Sequence, residues 1–509
     1  MNSYDEIRVK EGLGLRIKRF LFVTLKDKNF LKGVSSVIGA SLINIIAGAI
    51  FAICQLFVYE ISYINDIDNN ISNDHEMFYY PIIKFFQHVF SIVSGILYKK
   101  IGIHYTNSIG MVFLLIGYLI LYLSSSLSAD IVSLVVLGIG TGIIYYPSTA
   151  NACEYFVDNS GIVIGITETM MSIGSFLFNI LAEKIIDAKK EEYNSEDEYT
   201  KKIGDKIYYI LAVAEKFKVF LLVLIIILIL LYALSFALIF KKEKEEFKDS
   251  KNIQIGLLQM DDNNEQFSQG KSFDSKQLEL IDNKDEEEKP KDFKKIFLEA
   301  LKSKTLIMIT LITILESPLT SMIFSLYREI GLNARIKNNY LTSIGPISFV
   351  CECVGGFIFG LLCDYSLQKY LLLVIFSVDA IIGFFYCLTF SSNVFFSIFT
   401  NVASFTSGGF YSVKNFYLVK VYGVSICVEL IGFVNLCTAI IYIAALTPLS
   451  YNLKKKLPGA SLWILFIIFG IFDVIGFMLS LKTKDDKFDY DKAMGDEKDK
   501  TIDETNKLI

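Results

Sequence analysis

Residues 138–165 read GIGTGIIYYPSTANACEYFVDNSGIVIG, with glycines at alternate positions 138, 140 and 142. Glycines this dense mark a backbone that must come close to something, either a phosphate or another helix. The surroundings decide between the two. Position 143 is isoleucine, so the G-x-G-x-x-G spacing of a dinucleotide loop is not met. No Asp, Glu, Lys, Arg or His lies between Asp130 and Glu154, a setting that a pyrophosphate could not reach. Gly138, Gly140 and Gly142 therefore read as helix-packing residues inside a membrane span. Gly161 and Gly165 read the same way after the short elbow EYFVDNSG.

The rest of the chain supports a membrane reading. It has 509 residues, 53% of them hydrophobic, with mean hydropathy +0.47. Charge is concentrated in a few stretches and nearly absent from long windows. A helix needs about 20 mostly apolar residues to cross the hydrocarbon core, and about twelve segments meet that criterion. Six run near 34–59, 78–98, 106–125, 129–150, 161–183 and 219–240. Six more run near 305–327, 340–363, 370–391, 394–413, 423–447 and 461–481. The expected organisation is a segment 1–32 suited to an interfacial helix, a six-helix bundle at 33–240 and a charged linker at 241–302. A second six-helix bundle at 303–482 and a tail at 483–509 complete it. The fold class expected is all-α and polytopic.

Lysine bias sets the orientation. The first 32 residues carry eight Lys/Arg, and the linker is lysine-rich, whereas the loop after the first span, EISYINDIDNNISNDHEM, has five acids and no Lys or Arg. Both termini are expected in the cytosol. The sequon at Asn70 falls in that external loop. Net charge is −5, so no basic surface for nucleic acid is implied. The eight cysteines include no CxxC pair, and no metal site or cofactor is expected. No nucleophile–base arrangement or Walker sequence is present, so an enzyme is not expected.

The two halves echo each other. The second span ends GILYKKIG, with Gly95 and Gly102, and the eighth ends GLLCDYSLQK, with Gly360 and Asp364. This resembles the cytosolic signature of the major facilitator superfamily: Gly, three residues, Asp-Arg, one residue, Gly. The second copy keeps Gly360 and Asp364 but has Tyr365 for the arginine; the first keeps both glycines, with Lys99 in the place of the acid and Lys100 after it. In the family that acid latches a neighbouring helix end. The opening stretch, with Tyr145, Pro147, Tyr155-Phe156, Asp158 and Gly174, resembles the oxalate:formate antiporter and monocarboxylate porter branch. The resemblance implies two six-helix bundles rocking about a midplane site.

Ionisable groups within spans cost about 2.5–3.5 kcal/mol each on insertion scales and call for an explanation. Lys84 and His88 share one face of the second span and suit an anion; their alternatives are snorkelling and a helix–helix hydrogen bond. Glu316 precedes Pro318, and a helix broken there would suit a proton or cation site. Glu352 and Gly360 match an acid and a glycine of the monocarboxylate pattern, but Gly356 stands where the resemblance places an arginine. Glu352 is then expected as a proton carrier. Glu168 and Glu429 are expected near the cytosolic mouth as gating residues or structural ion pairs, with Lys414 and Lys420 as partners. Asp379 and Asp473, on outer helices, are expected to pair structurally. Tyr145 and Tyr146 are read as cavity-lining or as interfacial anchors, and Asn44, Gln55 and Asn435 are further polar candidates.

The resulting expectation is a secondary transporter of a small organic solute, a mono- or dicarboxylate, coupled to protons or to exchange. A carrier of a neutral or cationic nutrient or drug is the alternative. A membrane sensor or scaffold that has lost transport is a third reading. The expected partners are the bilayer, a small-molecule substrate and protons. Glu504, Leu508 and Ile509 fit an acidic dileucine signal for a sorting adaptor, in a plasma or organelle membrane.

Overall fold

The computed structural model describes residues 28–54, 56–67, 76–186, 200–203, 206–241, 293–333, 336, 338–365, 368–446, 448–449 and 461–483. Gln55, Asn70, Glu504, Leu508, Ile509 and most of the linker and both terminal segments lie outside these residues.

The first bundle comprises α1 (Lys28–Cys54), α2 (Phe57–Ile67), α3 (Glu76–Ile101), α4 (Ile103–Leu123), α5 (Leu127–Tyr155), α6 (Ser160–Ile186) and α7 (Leu211–Leu238). Between α6 and α7, β1 (Thr200–Ile203) and β2 (Lys206–Tyr209) pair antiparallel, a small hairpin that the all-helical expectation did not include. α8 (Phe293–Lys302) shows that the end of the charged linker is helical. The second bundle comprises α9 (Lys304–Asn333), α10 (Asn338–Tyr365), α11 (Gln368–Phe385), α12 (Asn393–Tyr422), α13 (Val424–Ile441) and α14 (Ser461–Ser480). The described residues of both bundles fall in one compact unit.

Among the described residues, eleven helices are long and apolar enough to cross a bilayer. The remaining span is α12. At 30 residues it reaches about 45 Å, but Asn401, Lys414, Asn415 and Lys420 lower its hydropathy. Those polar groups are tolerated because this helix is largely enclosed by protein: Lys414 and Asn415 are 0% and 2% exposed. Each bundle has its own apolar core. Ile43, Ile50, Tyr118, Leu134 and Phe217 belong to the first, and Leu319, Ile344, Tyr386, Phe396 and Phe466 to the second. Side chains such as Ile226, Leu230, Val374 and Met478 remain exposed on the outer faces, as lipid-facing positions require.

Two sharp turns at one end of the molecule need glycine. Gly102, between α3 and α4, has φ 82°, and Gly423, between α12 and α13, has φ 67°. A side chain is strained in that region. This gives a physical reason for Gly102 in the first signature copy. We call this end, the one expected in the cytosol from the lysine bias, the inner end.

At the opposite end the first bundle is held by a buried cation. Lys218 on α7 donates to Glu60 on α2 (2.6 Å) and to the carbonyls of Leu121 and Ser124 at the end of α4 (2.8 and 3.0 Å). A lysine here satisfies helix-terminal carbonyls and suits the negative end of the α4 dipole. Glu60 is fully buried. Replacing Lys218 with methionine leaves that acid without its cation, and loss of one partner of a buried pair costs about 3–5 kcal/mol. Lys218→Met should therefore markedly lower the thermal midpoint of the purified protein in detergent. An unchanged midpoint would remove this network from the account of stability.

Candidate functional site

The glycines of the opening stretch place the site. A Cβ on Gly138 would lie 2.6 Å from the carbonyl oxygen of Ile83, and one on Gly142 would overlap that of Gln87, so both glycines admit the backbone of α3. Gly140 does the same for α4, where a Cβ would lie 2.6 Å from Leu114 N. With Ile83 and Gln87 pressed onto α5, the residues at four-residue spacing on another face of α3 (Tyr80, Lys84 and His88) turn toward the seam between the bundles. The second bundle repeats the device. A Cβ on Gly408 of α12 would overlap the carbonyl oxygen of Glu352 on α10.

Between the bundles lies a cavity in two adjoining lobes. Both lobes are lined by Tyr80, Lys84, His88, Ser321 and Tyr411. One extends to Glu316, Ser317, Asn435 and Tyr442, and the other to Phe51, Tyr145, Tyr146 and Glu352. Lys84, His88, Glu316 and Glu352, four residues picked out by their place in the spans, thus meet around one space. The Lys84 Nζ sits 4.1 Å from the centroid of Phe51 and 5.6 Å from that of Tyr80. Among the described residues it forms no ion pair. Aromatic faces stabilise such a cation and leave its N–H donors available. His88 Nδ1 is buried without a hydrogen-bond partner among the described residues. Glu316 accepts from Thr320 Oγ1 (3.2 Å). α9 runs on as an α-helix through Pro318, so the expected break is absent and Glu316 projects from a continuous helix.

The inner side of the cavity is closed by a polar seam. Tyr145 donates its hydroxyl proton to Glu168, whose other oxygen accepts from Asn415 Nδ2 across the bundles (2.8 Å). Lys414 Nζ donates to Asn435 Oδ1, and Asn435 Nδ2 donates to the Tyr146 hydroxyl, each at 2.7 Å. Tyr145 and Tyr146 are consequently buried in the cavity wall (3% and 5% exposed), which rules out interfacial anchoring.

Several expected pairings are corrected. Glu429 pairs with Lys99 at 2.6 Å, not with Lys414 or Lys420. Lys420 donates to Gln368 instead (2.9 Å). Glu168 sits beneath the cavity, where Tyr145 and Asn415 donate to it, and Glu429 lies nearer the inner end. Asp379 accepts from Thr406 (2.6 Å), while neither oxygen of Asp473 has a hydrogen-bond partner among the described residues, so no ion pair links these helices. Gly356, where the resemblance places an arginine, packs on α12, with Ser412 Oγ donating to its carbonyl (2.9 Å). The sequence reading missed Tyr80, Tyr411 and Tyr442, and it assigned Lys414 to a loop by ending its span at 413. α12 continues to Tyr422, and a lysine within it is the kind of in-span charge that the insertion-cost argument detects.

At the inner end α6 meets α10 with glycine against glycine: a Cβ on Gly165 would lie 3.0 Å from the Gly360 Cα. Asp364 accepts the backbone N–H groups of Gly161 (3.1 Å) and Ile162 (2.9 Å) at the start of α6. An acid on a helix N-terminus satisfies orphan donors and the dipole together. This is the contact that the signature at Gly360 and Asp364 implies. Residues 8–179 match the family model described as Major Facilitator Superfamily. Over that stretch the chain is similar to the major facilitator superfamily. It is an integral, multi-pass membrane protein of that fold. The E. coli fucose:proton symporter FucP resembles it at TM-score 0.56 and 12% identity, over 89% of this chain and 99% of that one. A D-xylose–proton symporter resembles it at TM-score 0.55 and 13% identity, over 89% and 99%. At such identities the likeness concerns the fold. No curated protein matches the chain in sequence.

Because Gly142 carries the α3–α5 approach, Gly142→Val should force the two helices apart. Overpacking costs about 1–3 kcal/mol or more. The expected outcome is loss of the monodisperse peak in size-exclusion chromatography. A well-behaved variant would show that α3 is positioned by other contacts.

Proposed function

We propose that this protein is a member of the major facilitator superfamily and a secondary active transporter that carries a small organic anion, a mono- or dicarboxylate, together with a proton by alternating access. The observation that carries the reading is Lys84, a lysine held by aromatic rings at the junction of both cavity lobes with no carboxylate paired to it among the described residues. Such a group supplies N–H donors and positive charge to a carboxylate. The two acids that share the cavity, Glu316 and Glu352, explain why a proton would have to accompany the anion. One lysine facing two ionised acids leaves the space net negative, and a further anion is repelled unless an acid is neutralised. Glu352 and Glu316, the acids that line the two lobes, are the groups placed to carry that proton. The proton symporters that the fold resembles are consistent with proton coupling, and they give no support to a carboxylate substrate.

The same excess of acid over base favours a second reading, a carrier for a cationic or neutral solute, in which Glu316 and Glu352 stay ionised. Reconstituted protein separates the two. With lactate, pyruvate, formate and oxalate tested in turn, at least one should show saturable uptake driven by an inward proton gradient. Lys84→Met should lower that uptake about tenfold or more, as expected when a charge-assisted contact worth over about 1.4 kcal/mol is lost. Glu352→Gln should abolish gradient-driven uptake and preserve exchange of substrate across the membrane. Full pH dependence in Glu352→Gln would remove it as the proton carrier. Uptake of cations but of none of the four acids would overturn the anion reading.

A further inference from the structure

The two lobes of the cavity differ in the hydrogen bonds they can make. Lys84, at their junction, carries donors and no acceptor. The lobe that extends toward α9 and α13 is rich in hydroxyl groups. Thr313, Ser317 and Ser321 stand four residues apart and share one face of α9. Thr438, three residues after Asn435, joins them from α13. The protons of two of these hydroxyls are already engaged. Thr313 Oγ1 donates to the carbonyl of Ile309 (2.8 Å), and Thr438 Oγ1 donates to that of Val434 (3.1 Å). A hydroxyl has one proton and two lone pairs, so each of these side chains is left with acceptor capacity. Ser317 and Ser321 share a hydrogen bond with each other (3.4 Å). Glu316, in the same wall, is a further acceptor while ionised. The other lobe extends instead to larger side chains, Phe51, Met171, Tyr145 and Tyr146. The cavity thus has a donor on the first bundle and a set of acceptors on the second.

A carboxylate has no proton to give, so it satisfies the Lys84 end alone. A complementary ligand needs a tail that donates. A second carboxylate in that place would meet Glu316 and hydroxyl lone pairs, and like charges repel. An ammonium would donate, but it would also neutralise Glu316 and remove the need for an accompanying proton. A hydroxyl donates without changing the charge. We propose that the substrate is a monocarboxylate carrying at least two hydroxyl groups, with its carboxylate at Lys84 and its hydroxyls donating to Thr313 and Thr438; this rests on the reading of the protein as a proton-coupled anion carrier. The hydroxyls then decide which monocarboxylate is accepted. A site built to hydrogen-bond a hydroxyl rejects the analogue that lacks it, because its own polar groups are left unpaired.

Three-carbon acids that differ only in the tail test this. The full chain, purified in detergent, would be titrated with propionate, lactate, glycerate, serine and malonate. The rise of the thermal midpoint with concentration gives an affinity for each. Binding should tighten in the order propionate, lactate, glycerate, by about tenfold for each hydroxyl. Serine and malonate should bind more weakly than glycerate. Thr313→Val and Thr438→Val should each lower the ratio of glycerate to propionate affinity about tenfold. A ratio taken within one preparation does not depend on how much of a variant folds. Glycerate binding no tighter than lactate overturns the hydroxylated substrate. The same holds for malonate binding tighter than glycerate, or for an unchanged ratio in both threonine variants. In each of these cases, loss of carboxylate binding in Lys84→Met leaves the anion reading standing. Tighter binding of serine than of glycerate overturns both the hydroxylated substrate and the need for a proton. A midpoint that none of the four anions moves overturns the proposal and the anion reading together.

Discussion

How closely two helices can approach fixes where the interior charges of this protein lie. α3 rests on α5 with backbone against backbone at Gly138 and Gly142, and α10 rests on α12 in the same way at Gly408. The two contacts are related by the internal repeat. Gln87, met by Gly142, stands eight residues before Gly95, and Glu352, met by Gly408, stands eight before Gly360. Without a hydrophobic driving force between helices in lipid, such dispersion contacts are among the few forces that hold a rotation and register. A change in the rotation of α3 would carry Lys84 and His88 out of the cavity, and a change in α10 would remove Glu352.

Once placed there, the charged groups obey the electrostatics of a space with little water. Each is stabilised by a different means. Lys84 lies over aromatic rings, Lys414 donates to an asparagine, and Glu168 accepts from a tyrosine and a second asparagine. Among the described residues these three form no direct ion pair, the usual way of satisfying a buried charge. The structural pairs are found elsewhere: Lys218 with Glu60 within the first bundle, and Lys99 with Glu429 across the inner end. This division separates charges paired with an opposite charge from charges held by neutral partners, and burial alone would not have distinguished them.

Much of this was legible in the sequence for reasons that can be named. Spans follow from apolar length, and the repeated Gly-x-x-x-charge ends of the second and eighth spans gave the two-bundle plan. Lys84, His88, Glu316 and Glu352 stood out because insertion cost makes each one conspicuous. Partners were much less legible. Nothing local told Glu429 to choose Lys99, 330 residues away, over the nearer Lys420. Tyr80, Tyr411 and Tyr442 were hidden because tyrosine is ordinary at membrane boundaries. Lys414 escaped because polar residues shortened the apparent span, and they did so for the very reason that α12 is enclosed by protein. The hairpin at 200–209 is too short and too charged to have been read as strand.

The distribution of charge between the bundles gives the proposed coupling a physical form. Lys84 and His88 belong to the first bundle, and Glu316 and Glu352 to the second. Attraction between an ionised lysine and ionised acids acts across the seam about which the bundles would rock. An anion arriving alone neutralises Lys84 and leaves two acids facing added negative charge. A proton arriving alone neutralises one acid and leaves Lys84 and the other acid attracting each other across the seam. With both bound, Lys84 is neutralised and one of the two acids is too, so the rearranging seam carries one unpaired acid through a dry interior rather than two. At the inner end Lys99 and Glu429 likewise join opposite bundles, so the attraction of opposite charges acts across the seam there as well.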